Sequence, residues 1–153
     1  MISFTARLVF TLQQPRKTTN MFEPNELIDT VINVLLQYDY EFTRKSETEL
    51  KVHRKGEHGF DIVLETSYRE NTLYFEGFHW HFGNLDWEIE EMLDLLLAGL
   101  TGAAKIKVFS KKGTTYKWEL EIEDNDGQWK SHGTVSLVRM DFWNEAEISY
   151  LQN

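Results

Sequence analysis

The sequence predicts a single α+β domain: a mainly antiparallel sheet with two amphipathic helices on one face. Three observations predict it. Two segments carry apolar residues at helical spacing. Most of the remainder alternates apolar and polar residues in short runs. The breaks between runs are short turns, which join antiparallel neighbours rather than parallel ones. The expected order is β-α-β-β-β-β-α-β-β-β-β over residues 1–153, with no linker to mark a second domain.

From Met1 onward, Ile2, Phe4, Ala6, Leu8, Phe10 and Leu12 share one parity, so 2–12 reads as a half-buried strand. Residues 13–20 are polar, contain Pro15 and read as a loop. Pro24 suits the first turn of a helix, where no backbone donor is needed. Leu27, Ile28, Val31, Ile32, Leu35 and Leu36 then give a helix over about 24–38. Strands are expected near 40–45, 48–55, 59–67 and 72–82, separated by Lys45-Ser46-Glu47, Gly56-Glu57-His58-Gly59 and Arg69-Glu70-Asn71. In the last of these, Tyr74, Phe78, Trp80 and Phe82 are assigned to the core side.

The second helix is expected to be capped by Asn84 and to end at Thr101-Gly102. Leu85, Ile89, Met92, Leu93, Leu96 and Leu100 form its apolar stripe. Acids in its early turns complement the helix dipole. Beyond it, strands are expected near 104–110, 115–123, 129–140 and 146–151, with Asn125-Asp126-Gly127 as a hairpin turn.

Composition limits function. The chain is 41% hydrophobic and 14% aromatic, enough for a core without staples, and it has no cysteine. Disulfides, thiolate metal sites and cysteine nucleophiles are excluded. The first residues lack the basic patch and apolar run of a secretory signal, and no apolar run reaches the roughly 20 residues of a membrane span. A soluble cytoplasmic protein is expected. Net charge is −9, from 25 acidic and 16 basic residues. General nucleic-acid binding and anionic membranes are disfavoured, and a basic protein partner is favoured.

Two acidic clusters are the candidate partner-binding residues. One is Glu88, Glu90, Glu91 and Asp94, with Asp86, on the second helix. The other is Glu119, Glu121, Glu123, Asp124 and Asp126, beside Trp129. Alternating glutamates at 119, 121 and 123 would also discourage edge-to-edge sheet association. Trp143 and Trp129 are candidates for exposed interface residues, and Trp118 fits a core face.

Catalytic signals are sparse. His79 and His81 share one side of a strand and suit a metal, provided a further ligand comes from elsewhere. His53 and His58 flank a basic turn where an acid and a base would be needed for RNA cleavage. Asp124-Asn125-Asp126-Gly127 resembles part of a calcium loop, but the first and twelfth ligand positions fall on Ile122 and Gly133, which cannot serve. No phosphate loop, nucleophile elbow, zincin motif or dinucleotide fingerprint is present, and no cofactor is expected.

These features favour a small acidic protein-binding module, of the kind that inhibitors and immunity proteins provide against basic partners. The alternatives are a metal-dependent or histidine-based enzyme built on His79 and His81, and a self-associating structural subunit.

Overall fold

A computed structural model describes residues 23–38, 40–137 and 145–153. The expected strand at 2–12 and Trp143 lie outside the described residues. The described elements are α1 (Pro24–Gln37), β1 (Phe42–Arg44), β2 (Glu49–Val52), β3 (Ile62–Glu65), β4 (Asn71–Phe75), β5 (Phe78–Phe82), α2 (Asp86–Thr101), β6 (Ala104–Lys111), β7 (Thr114–Glu123), β8 (Trp129–Ser136) and β9 (Glu147–Gln152). The fold is α+β and antiparallel, as expected. The strands divide into two sheets, ordered β1-β2-β3-β4-β5 and β8-β7-β6-β9.

One expected strand is two. Residues 72–82 turn back on themselves at Glu76-Gly77, so that Phe75 pairs with Phe78. The apolar residues record the reversal. Leu73 and Phe75 are odd-numbered, Phe78 and Phe82 even-numbered, and all four are buried. A two-residue turn produces that change of parity. Tyr74 therefore faces away from the core, and Trp80 remains 38% exposed.

Each helix buries one stripe. Leu27, Ile28, Val31 and Leu35 of α1 join Leu50, Val52, Ile62 and Leu64 of the first sheet in the core. The buried Thr66 hydroxyl donates to the Pro24 carbonyl at 2.8 Å, and Arg44 pairs with Asp29 at 2.7 Å. Leu36, placed in the apolar stripe from sequence, is exposed. Helix α2 packs on β4, β5 and β6, and Gly99 admits the ring of Phe75.

The second sheet joins the same core through Ala104, Ile106, Val108 and Leu120. Two tryptophan–glycine contacts lock the sheets together. The Trp118 ring on β7 covers Gly77 of the first sheet, and the Trp80 ring on β5 covers Gly133 of the second. A Cβ at Gly133 would lie 2.6 Å from Trp80 Cζ3, so only glycine permits this approach.

Candidate functional site

Helix α2 begins one residue later than the sequence implied. Leu85, not Asn84, is the N-cap residue. A leucine side chain cannot accept the orphan amides of a helix start, so Glu88 does it. Its carboxylate accepts from the Gly83 N–H at 3.2 Å and the Leu85 N–H at 3.3 Å. Asn84 instead accepts from the buried Asn71 at 2.8 Å and donates to the Ser67 carbonyl at 3.1 Å. This pins the start of α2 to the 67–70 turn. Gly102 ends the helix in the left-handed conformation, φ 79°, as expected of Thr101-Gly102.

Helical periodicity then sorts the residues. Ile89, Met92, Leu93, Leu96 and Leu100 point inward and are buried. Trp87, Glu90, Glu91 and Asp94 follow at intervals of three and four, so they share the opposite face, and all four are exposed. Trp87 keeps 61% of its surface in water. Leu85, assigned to the buried stripe from sequence, is also exposed, as is Tyr68 on the pinned turn. Among the described residues, Glu88 is the one candidate acid of this helix already engaged by the fold.

The second acidic cluster is wired differently. Glu119 and Glu121 lie on β7, an interior strand of its sheet, so they guard no edge. Glu121 pairs with Lys105 at 3.2 Å and Lys107 at 3.8 Å, and Glu119 pairs with Lys117 at 3.6 Å. Asp124 pairs with Lys130 at 2.6 Å and accepts the amides of Asp126 and Gln128, which organises the hairpin. The Lys130 hydrogen bond, with help from those amides, holds the Asp124 carboxyl below its ordinary value. Glu123 and Asp126 are exposed at the end of this face. Trp129 is half-buried, with the Lys105 ammonium 4.0 Å from its ring centre. Lysines thus neutralise most of this cluster.

No such pairing occurs on α2. Among the described residues, no Lys, Arg or His forms an ion pair with Glu90, Glu91 or Asp94. Among the described residues, three carboxylates without a basic partner thus share one exposed helix face with the Trp87 indole. Exposed charge steers a partner of opposite sign, and a tryptophan supplies a contact that can be desolvated.

The histidines lie on the outer face of the first sheet. His79 and His81 have ring centres 5.5 Å apart. His81 Nδ1 lies 3.0 Å from Thr72 Oγ1 and 3.5 Å from Glu70 Oε1, while His79 packs against Tyr74. Among the described residues no group of three or more His, Asp or Glu is placed to hold a metal ion. His53 Nε2 is 2.8 Å from Thr43 Oγ1, whereas His58 is exposed and lends its carbonyl to the Gln152 N–H.

Sequence reasoning singled out the α2 acids but not the exposed Trp87 beside them. The signal was available: Trp87 falls outside the 89-92-93-96-100 stripe. Among the described residues, no helix is long and apolar enough to cross a membrane. Comparisons with protein-family models, curated proteins and solved structures found no match.

Proposed function

We propose that this chain is a small acidic protein-binding module that docks a basic partner on the outward face of α2. Trp87 is the anchor, and Glu90, Glu91 and Asp94 are the charged rim. The observation that carries the reading is the contrast between the two acidic clusters: among the described residues, lysines neutralise most of the one on β7 and none of the one on α2. An inhibitor or immunity protein acting on a basic toxin or nuclease is the class of module this describes. Self-association through the same face is disfavoured, because a two-fold contact would bring like charges together. A cytoplasmic setting belongs to the same reading and is supported by the absence of cysteine.

The test is affinity capture from the native host on the immobilised chain, repeated with Trp87→Ala and with the combined Glu90→Lys, Glu91→Lys, Asp94→Lys variant. A basic protein should be retained by the parent chain, released by salt, and lost from both variants. Retention of the same partner by both variants would remove α2 from the account.

A further inference from the structure

A second site lies at the seam between the sheets, and it does not depend on the α2 reading. An open cleft of about 420 Å³ is lined by Val108, Trp118 and Leu151 together with Gly77, Thr115, Ser149 and Glu76. This volume falls within the range of small-molecule and side-chain pockets, and the lining mixes apolar Val108, Trp118 and Leu151 with polar Glu76, Thr115 and Ser149.

Glu76 supplies the specificity. It is exposed, and no described Lys, Arg or His pairs with its carboxylate. It also occupies the first position of the β4–β5 turn at φ 54°, a left-handed conformation that glycine or asparagine adopts more readily. The chain therefore keeps a carboxylate in the lining of this cleft at a cost in backbone strain. Strain of this kind collects at binding sites. The Trp118 ring is held in place by its packing on Gly77, so the wall is formed before any ligand arrives.

We propose that this cleft binds an organic cation with an apolar body. The body packs on Trp118, Val108 and Leu151, and the positive group lies against the Glu76 carboxylate. An arginine or lysine side chain of a partner and a free arylalkylamine share this chemistry.

The test uses the full chain labelled with nitrogen-15. Its five tryptophans give five indole N–H signals, and the one missing from Trp118→Phe identifies Trp118. Phenethylammonium, N-acetylarginine amide and uncharged phenethyl alcohol are titrated separately. A cationic probe should move the Trp118 signal saturably, with a dissociation constant on the order of millimolar. Glu76→Gln, a change at an exposed turn, should weaken that binding about three- to fivefold, as should replacing the cation by the alcohol. Tighter phenethylammonium assigns the site to free amines, and tighter arginine amide assigns it to a side chain. No saturable shift at Trp118, equal binding of the alcohol, or an unchanged constant in Glu76→Gln would each overturn the proposal.

Discussion

Replacing Trp87 by alanine should remove a binding group while leaving the fold nearly intact, whereas Leu96→Ala on the opposite face of the same helix should not. Trp87 keeps 61% of its surface exposed, while Leu96 keeps 3%. At 61% exposure the covered part of the indole is roughly 80 Å², some of which a compact denatured chain also covers, so truncation forfeits about 1 kcal/mol of burial. The better helix propensity of alanine offsets about half of that. The net change is about 0.5 kcal/mol. Leu96→Ala removes buried methyl groups and leaves a cavity, at a cost of about 3 kcal/mol. Urea denaturation followed by circular dichroism reads both values. In a thermal scan the leucine variant should melt about 6–12 °C lower and the tryptophan variant within about 2 °C of the parent. If Trp87→Ala were as destabilised as Leu96→Ala, the indole would be part of the core, and the outward face of α2 would lose its anchor.

Three further perturbations test how the rest of the scaffold is held. Gly77→Ala forces a Cβ into the Trp118 ring and should cost about 1–3 kcal/mol in urea denaturation. Asn153→Ala removes an amide that accepts from the Lys55 and Phe60 N–H groups and donates to the Phe60 and Gly99 carbonyls. Phe60 is buried, so its backbone is left unpaired, and the expected loss is about 2 kcal/mol with faster amide exchange at Phe60. Asp61 gives a pH signature. Burial pushes its carboxyl up, but Lys51 at 2.7 Å, the Arg54 amide and nearby His53 outweigh burial and hold it below the ordinary 3.8. Its stabilisation is present above pH 3.8 and lost as pH falls through the lower folded value. Asp61→Asn should therefore be less stable than the parent at neutral pH, with the difference closing below pH 3.8 in denaturation curves taken across pH.

Much of the fold was legible because burial leaves a period in the sequence. The inward stripe of α2, the terminal Gly102 and the Asn125-Asp126-Gly127 turn follow from local rules and appear where those rules place them. The hairpin at Glu76-Gly77 was missed because glutamate is not a turn residue. Its sign was a change of parity between Phe75 and Phe78, visible only when apolar positions are followed by number. Asn84 was read as a cap because its residue type suits one. Tertiary hydrogen bonds to Asn71 and Ser67 claimed its side chain, and Glu88 capped the helix from within. The two acidic clusters look alike in sequence. Only strand register shows that Lys105 and Lys107 lie opposite Glu121 and Glu119, while among the described residues no lysine pairs with Glu90, Glu91 or Asp94. Trp129 was offered as an exposed interface residue, yet it lies half-buried beneath Lys105 for the same reason of register. Division into two sheets likewise depends on which strands pair, and alternation alone carries no information about that.

The most direct measurement places a photo-crosslinking amino acid at position 86, beside Trp87 and one turn before Glu90, in the native host and, separately, at position 43 on the outer face of the first sheet. Irradiation should join a basic protein to the chain from position 86, with the adduct diminished by Glu90→Lys, Glu91→Lys, Asp94→Lys, and none from position 43. Adducts from position 43 alone, or adducts from 86 that the lysine substitutions leave undiminished, would contradict the assignment of α2 as the docking face.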